Sequence, residues 1–215
     1  MYPLFSLRSA SLFAACTFWT VLPTSAHDIV LQPQVGGLAV RYGHPQDWQP
    51  LELNKLARVK KAGSDKLVAV NTTRVMLPEA EFVSNNLKFA KALLPSAADE
   101  GLYMRRVGHL LELVPQRNPA TLKAGELLPV LVLFKGQPLA GAGIEVGNLF
   151  DAVPEDQIRR YTTDAQGIAQ VTLRDKGVNM LGVDLERPND GSLGEAAKKV
   201  GADKFVLVAT YTFLR

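Results

Sequence analysis

The apolar residues of the chain follow two patterns that divide it near residue 110. Before that point, short apolar or alternating runs bounded by Gly, Pro, Asn or Asp predict strands. These runs are Ile29–Leu31, Leu38–Tyr42, Lys66–Val70 and Val107–Val114. After it come seven more evenly spaced runs, namely Leu111–Pro115, Leu127–Phe134, Ala142–Asn148, Arg159–Thr163, Ile168–Leu173, Val178–Asp184 and Phe205–Phe213. Their number and spacing predict a β-sandwich.

In the segment of residues 78–94, the apolar residues recur with a different period. Its apolar residues recur at roughly helical spacing, at Phe82, Leu87, Phe89, Ala90, Leu93 and Leu94. Pro78 suits a first helical turn, with Glu79 and Glu81 close to it, and Pro95 stops the run. We therefore expect one amphipathic helix near residues 78–94, either continuous or broken at Ser84–Asn86.

Together the patterns predict a mainly β protein with two β-rich lobes. The first is a domain over residues 27–110 that contains the helix as an insertion, and the second is the sandwich domain over residues 111–215. Lys135–Pro138 and Thr163–Gly167 have the composition of turns, because Gly adopts a positive φ at little cost and Pro presets φ.

The first 26 residues predict a secretory signal peptide. Arg8 gives a positive start, Ser11–Leu22 is apolar, and Thr24–Ala26 offers small residues before a cut at His27. We therefore expect an exported, periplasmic protein. A lipid anchor on Cys16 is the alternative, although the residues after Cys16 remain apolar. No later run approaches the roughly 20 residues of a spanning helix, so the mature chain is not expected to cross the membrane.

Composition narrows the chemistry. The 215 residues are 47% hydrophobic and 21% charged, which is typical of a globular protein with a packed core. The net charge of +3 is spread along the chain, which argues against nucleic acid as a partner. Cleavage would remove the single cysteine and with it any disulfide or thiolate ligand. Since no His-Glu-x-x-His, Gly-x-Ser-x-Gly or Walker motif occurs, we do not expect an enzyme.

The candidate chemistry lies in three histidines. A cut before His27 would place a free α-amine beside its imidazole, and the two nitrogens can chelate one divalent metal. His44 could supply a further imidazole, a ligand that suits nickel, copper and zinc. Asp28 and Asp47 could add oxygen ligands or orient the rings. His109, within a predicted strand, is a weaker third candidate. The alternative to a metal site is that His27 is simply the residue after the signal peptide and that His44 is part of a turn.

Several runs of this sequence resemble the DUF4198 family of secreted bacterial proteins. They are His27–Pro33, Tyr42–Pro45, Leu111–Pro115 with Asn118–Pro119, Leu128–Gly136 with Pro138–Ala142, and Thr163–Gly167. The resemblance implies a periplasmic component related to nickel and cobalt uptake. It also implies two β-rich lobes, the C-terminal one similar to immunoglobulin or carboxypeptidase-regulatory domains. In Val178–Glu186 only Met180 and Asp184 could serve as ligands.

Two main functions follow from these observations. The first is a non-enzymatic metal-binding protein that assists uptake or delivery of nickel, cobalt or copper through His27, His44 and His109, with a metal-uptake membrane transporter as its partner. The second is a metal-free exported β-sandwich that serves as a protein-interaction module. A copper oxidase with a histidine brace is a further alternative, which would need an open coordination position.

Overall fold

A computed structural model describes residues 28–34, 37–44, 47–50, 56–64, 67–77, 80–94, 101–123, 125–151, 157–173, 176–193 and 203–215. The strands in these residues are β1 Asp28–Gln34, β2 Gly37–His44, β3 Asp47–Pro50, β4 Leu56–Ser64, β5 Leu67–Leu77, β6 Ala80–Leu93, β7 Leu111–Pro115, β8 Leu127–Phe134, β9 Gln137–Pro138, β10 Gly143–Asn148, β11 Arg159–Thr162, β12 Ile168–Thr172, β13 Val178–Pro188 and β14 Lys204–Leu214. Single 3-10 turns occupy Leu102–Met104 and Pro119–Thr121. The fold is mainly β, as predicted.

The strands of the described residues form three stacked sheets. The central sheet has the order β11-β10-β13-β14-β6-β5-β4. An outer sheet, β12-β8-β7 with β9 on β8, covers one of its faces, and a hairpin sheet, β1-β2-β3, covers the other. Neighbouring strands are antiparallel except for β6 and β14, which pair in parallel from Asn86↔Val206 to Leu93↔Phe213.

The sandwich core lies between the central and outer sheets. Residues that alternate along β14, including Phe205, Leu207, Tyr211 and Phe213, point to the same side and are fully buried. They meet the inner residues of the outer sheet, namely Leu111, Leu113, Leu128, Val130, Val132, Ala169 and Val171. This period of two is what a strand with one face on a core requires. The predicted sandwich is therefore confirmed.

The hairpin sheet packs on the opposite face of the central sheet. Ile29 and Leu31 contact Ala90 and Ala92 of β6, whose small side chains let β1 approach closely. The hydroxyls of Thr210 and Thr212 on β14 donate hydrogen bonds to the carbonyls of Ile29 and Leu31. On the far side, Trp48 Nε1 donates to the Leu149 carbonyl at 2.6 Å. These bonds fix the position of β1 over β14.

The helix predicted near residues 78–94 is wrong, because Ala80–Leu93 forms strand β6. Leu87, Phe89 and Leu93 face the sandwich core, while Ala90 and Ala92 face the hairpin sheet. A strand covered on both faces carries apolar residues at successive positions. Those positions include pairs three and four residues apart, so the segment shows helical spacing without being a helix. Pro78, Glu79 and Pro95 lie outside the described residues.

The seven strands predicted after residue 110 are confirmed to within a few residues at each end. Gly136 and Gly167 have φ values of 76° and 75°, as the two predicted turns require. The central sheet crosses the predicted boundary between residues 110 and 111, because β6 pairs with β14. The division into two folding domains stays a prediction. In the described part of the chain, no helix has the length and apolar character to span a membrane.

Candidate functional site

Three of the candidate residues, Asp28, His44 and Asp47, lie at one end of the β1-β2 hairpin. Asp28, the first described residue, pairs with Gly43, and His44 pairs with Asp47 of β3. Gly43 has a φ of 137°, and a Cβ atom there would collide with the Asp47 carbonyl oxygen, so the tight β2-β3 connection requires glycine. His27 lies outside the described residues, and His44 is described by its backbone alone.

Four ionisable residues gather beneath this end of the hairpin, and we name Asp28, Lys88, Asp184 and Glu145 the charged cluster. Lys88 on β6 and Asp184 on β13 are both register partners of Val208, so they share a face of the central sheet with one strand between them. Glu145 on β10 pairs with Gly182, two positions from Asp184 and on the same face. This is the face that the hairpin sheet covers.

The position of Asp28 follows from the hydrogen bonds that hold β1. Thr210 binds the Ile29 carbonyl and Thr212 binds the Leu31 carbonyl, so β1 runs in the same direction as β14 beneath it. Val208 lies two residues before Thr210 on β14, so the part of β1 that precedes Ile29 runs toward the row that contains Val208. Asp28 is thus placed above Lys88 and Asp184, which explains the electrostatic coupling among the three side chains.

Burial dominates the ionisation of Asp28. Removal from water raises the pKa of its carboxyl from 3.8 to about 7, the Lys88 ammonium lowers it, and the carboxylates of Asp184 and Glu145 raise it again. Burial also raises the pKa of Tyr42 on β2, and the charge of Asp28 adds to that effect. The Asp28 carboxyl therefore changes charge near neutral pH.

Lys88 is 5% exposed. Burial lowers the pKa of its ammonium, whereas Asp28 and Asp184 raise it. Among the described residues, its Nζ makes no hydrogen bond. A buried ammonium without a hydrogen-bond acceptor is unusual, since such groups are normally paired. Its charge is balanced through space by the neighbouring carboxylates.

The remaining carboxylates of the cluster are better solvated. Burial raises the pKa of Asp184, Glu145 adds to this effect and Lys88 opposes it. Asp184 is nevertheless exposed at the sheet surface, so its charge is more easily kept than that of Asp28. Glu145 accepts a hydrogen bond from Arg160 Nε at 2.8 Å, and both side chains are about half exposed. Of the two aspartates, Asp28 is thus the one more strongly removed from water.

His109 lies on the other face of the central sheet. It precedes β7 instead of lying within a strand as predicted, because residues 105–109 form an irregular segment. It is 6% exposed and its ring lies 5.3 Å from that of Phe89, which faces the sandwich core. The structure therefore separates His109 from the hairpin end by the thickness of a sheet and does not bring it together with His44.

A second buried charge lies close to His109. Lys91 Nζ donates to Glu112 Oε1 at 2.8 Å and to the Arg105 carbonyl at 3.1 Å, and it lies 5.4 Å from the centre of the Tyr211 ring. Glu112 also accepts hydrogen bonds from the backbone amides of Val107 and Gly108. Burial lowers the pKa of Lys91, and Glu112 opposes that effect. This satisfied pair fastens residues 105–110 to β6.

With Arg160 included, the charged cluster has a formal charge of −1 when Asp28 is ionised and of 0 when Asp28 is protonated. The charged cluster holds three carboxylates against one ammonium, and Arg160 offsets one of them. No group of three or more His, Cys, Asp or Glu side chains placed to hold a metal occurs among the residues that the structure describes. His27 and the side chain of His44 lie outside the residues to which this statement applies.

The sequence did not point to Lys88 or Glu145. Lys88 interrupts an apolar run, Leu87–Leu93, which would mark a buried lysine only if the segment is taken as a strand with both faces covered. Glu145 and Asp184 come together only through strand pairing. Asp28 and Asp184 were among the candidate ligands, but their proximity to each other was not predicted.

Fold and site together define an all-β protein with three stacked sheets and a charged cluster under its first hairpin. Residues 77–187 match a family model described as "Domain of unknown function (DUF4198)", which is just over half of the chain, and the chain belongs to this family. The match includes Lys88, Glu145 and Asp184, whereas strands β1 to β3 precede it.

A protein of Haemophilus influenzae (strain ATCC 51907 / DSM 11121 / KW20 / Rd) named "Uncharacterized protein" is similar to the chain. The two are 35% identical over 117 residues, which is 54% of this chain and 45% of the relative. The chain thus spans less than half the length of that relative. No solved structure matches the chain.

Proposed function

We propose that this protein is a non-enzymatic, periplasmic metal-binding protein that assists uptake or delivery of nickel, cobalt or copper. Its ligands are the α-amine and imidazole of His27, once a signal peptidase has cut after Ala26, and the imidazole of His44. A membrane transporter for the metal is the partner to which it would deliver its ion. His109 is left out of this site, because it lies on the other face of the central sheet.

The observation that supports this site is the register of the first hairpin. Asp28 pairs with Gly43 in an antiparallel ladder. His27 directly precedes Asp28 in the chain and His44 directly follows Gly43, so the two histidines flank this pair in sequence. Directly opposed side chains of an antiparallel pair have Cβ atoms about 5 Å apart, and we infer from this that the two imidazoles can reach a single metal. Imidazole and amine nitrogens favour copper and nickel over harder ions.

The charged cluster fits a cation at this position. Its carboxylates give the hairpin end a negative potential that attracts a dication. Because Asp28 is placed over Lys88, we assign it the role of a neighbouring charge and not that of a ligand. In this proposal the nitrogens of His27 and His44 coordinate the metal, and the charged cluster contributes the electrostatic potential around it.

Titration calorimetry with copper(II), nickel(II), cobalt(II) and zinc(II) tests the site. Mature protein that starts at His27 is expected to bind one ion, with copper or nickel favoured over zinc. Adding one residue before His27 removes the free amine from the chelate and should weaken binding more than tenfold. His44→Ala should weaken it separately. His109→Gln is the matched control, which removes a histidine without changing the affinity.

Binding should also weaken as the pH falls. The α-amine has a pKa of about 8 and the imidazole about 6.5, and both must lose a proton to coordinate a metal. Titrations at pH 8, 7 and 6 measure this competition. Equal binding by all variants, or no binding above background, would leave the metal-free interaction module as the better explanation.

Delivery is a separate claim that needs an experiment in cells. A deletion strain grown in metal-poor medium is expected to contain less nickel, cobalt or copper than its parent, as measured by mass spectrometry of cell digests. The wild-type gene should restore the metal content and the His44→Ala gene should not. Full restoration by His44→Ala would separate delivery from this site.

A further inference from the structure

We propose that Lys88 is a fixed positive charge that holds metal affinity at the hairpin end below its maximum, so that the bound ion can be released to a partner. This inference rests on the proposed metal site and concerns its regulation. Lys88 does not coordinate the ion. It acts across the interface between β6 and the hairpin sheet, where the charged cluster lies.

The backbone places Lys88 directly beneath the hairpin end. Val208 is its partner in the parallel ladder, and the next row along β14 contains Thr210, which donates to the Ile29 carbonyl at 2.8 Å. β1 runs in the direction of β14, so moving back from Ile29 toward the proposed ligands leads to the row of Lys88. The ammonium of Lys88 is therefore electrostatically coupled to Asp28, which is the residue next to His27 in the chain.

The environment of Lys88 indicates that its charge is not needed for packing. Lys91, three residues further along β6, is neutralised by a buried ion pair with Glu112 at 2.8 Å. Lys88 is equally buried, yet among the described residues its Nζ has no hydrogen-bond acceptor. Replacing a buried, poorly compensated charge by an apolar side chain is often neutral or stabilising. A role in the electrostatics of the site accounts for its presence.

The groups that face Lys88 determine whether its charge raises or lowers the affinity for the metal. Asp28 comes from β1 and Asp184 from β13, while Glu145 on β10 is paired with Arg160 on β11. With Lys88 charged, part of the negative field of Asp28 and Asp184 is already neutralised when a dication arrives. A unit charge within about 10 Å in a partly buried region changes the affinity for a divalent ion by about tenfold or more.

The test compares nickel(II) binding to mature protein and to Lys88→Met, which keeps the length of the side chain and removes its charge. The variant is expected to bind nickel about tenfold more tightly and to release it more slowly to excess EDTA in a stopped-flow measurement. Lys135→Met makes the same change in net charge at an exposed turn of the outer sheet and should leave both quantities unchanged.

A second variant does not depend on the buried position. Asp184→Asn changes an exposed side chain and is expected to weaken nickel binding by a few fold, because less of the charge of Lys88 is then neutralised. Circular dichroism establishes that each variant is folded, and Lys88→Gln replaces Lys88→Met if the latter is not.

The outcomes separate the two proposals. Unchanged or weaker nickel binding by the folded Lys88 variant overturns the role of Lys88 while leaving the metal site intact. The same applies if Asp184→Asn binds nickel as tightly as the mature protein or more tightly. Absence of nickel binding by the mature protein itself overturns the proposed function instead.

Discussion

Two buried lysines on one strand show how differently the fold treats the same side chain. Lys91 faces the sandwich core, where its ammonium donates hydrogen bonds to Glu112 and to the Arg105 carbonyl. Lys88 faces the hairpin sheet, where only the field of neighbouring carboxylates offsets its charge. A buried charge is costly unless it is paired. The ion pair of Lys91 therefore contributes to the stability of the fold, whereas the energy of the Lys88 charge depends on whether the neighbouring carboxyls are ionised.

Glu112→Gln should destabilise the protein strongly. The substitution keeps the shape of the side chain but leaves the ammonium of Lys91, which is 2% exposed, without a counter-charge. Breaking one partner of a buried pair costs about 3 kcal/mol or more. Urea unfolding followed by circular dichroism measures the loss.

The matched control is Glu186→Gln. Glu186 pairs with Lys204 at 2.9 Å, but the two side chains are 58% and 61% exposed. Exposed pairs contribute about 0.5 kcal/mol or less, so the stability should hardly change. Similar losses for Glu112→Gln and Glu186→Gln would contradict the assignment of Lys91 and Glu112 as a structural pair.

Asp28→Asn should stabilise the metal-free protein at neutral and alkaline pH but not at pH 4. The folded pKa of about 7 exceeds the ordinary value of 3.8, so ionising Asp28 costs folding free energy. That cost is absent below about pH 4, grows as the pH rises toward 7 and is complete above it. The variant should gain roughly 2–4 kcal/mol at pH 8 and almost nothing at pH 4.

Urea unfolding in EDTA at the two pH values measures this difference. A gain of the same size at pH 4 and pH 8 would mean that Asp28 keeps an ordinary pKa in the folded protein.

At the scale of elements, the seven strands predicted after residue 110 were found, and the two-residue strand β9 was missed. β10 and β12 show the alternation of buried and more exposed residues that predicts a strand best, whereas β7 and β14 are buried on both faces and were found as apolar runs. β6 was mistaken for a helix because both of its faces are covered, by the sandwich core and by the hairpin sheet. Lys88 and Lys91 are three residues apart, which places them on one side of a helix, but the period of two places them on opposite faces of the strand.

The turn at Thr163–Gly167 allows a test of local geometry. Gly167 has a φ of 75°, and a Cβ atom there would lie 2.8 Å from the backbone nitrogen of Leu139. Gly167→Ala therefore adds a backbone collision to the strain of a positive φ and should cost about 2–3 kcal/mol.

Gly141→Ala serves as the control. Gly141 has nearly the same φ, 74°, but a Cβ atom would meet nothing within 4 Å. Only the positive-φ strain of about 1 kcal/mol is then expected. Thermal unfolding of the two variants compares these costs, and equal losses would show that the contact with Leu139 relaxes freely.

At the scale of the whole molecule, the charged cluster could not be predicted because it depends on pairing between distant strands. Lys88, Glu145 and Asp184 come from three different strands. Histidine near a predicted cleavage site is a local signal, so the sequence could point to His27 and His44. Which residues lie beneath them is set by the three-layer packing, and a single sequence carries no local sign of it.

The shared central sheet predicts a single unfolding transition for the mature protein. β14 pairs with β13 on one side and β6 on the other, and it also holds β1. The chain has two tryptophans, Trp19 and Trp48, and signal cleavage leaves only Trp48, which lies in the hairpin sheet. Urea transitions followed by its fluorescence and by far-UV circular dichroism should coincide.

An earlier change in fluorescence would show that the hairpin sheet unfolds by itself. Strands β1 to β3 would then form a separate unfolding unit, while β4 to β6 stay with the central sheet. Coincident curves would instead make β14 the element that joins them into one cooperative unit.

The position of β14 also has a consequence for the order of events during synthesis. The hydroxyl of Thr210 holds the carbonyl of Ile29, 181 residues earlier, and the pairing with β6 closes another long loop. Contacts this distant in sequence make folding slow, because loop closure must precede the gain from contact. The strand on which both halves assemble leaves the ribosome last of all the described strands. Until then β1 and β6 have no partner on that side, so the growing chain cannot complete its central sheet before β14 has been synthesised.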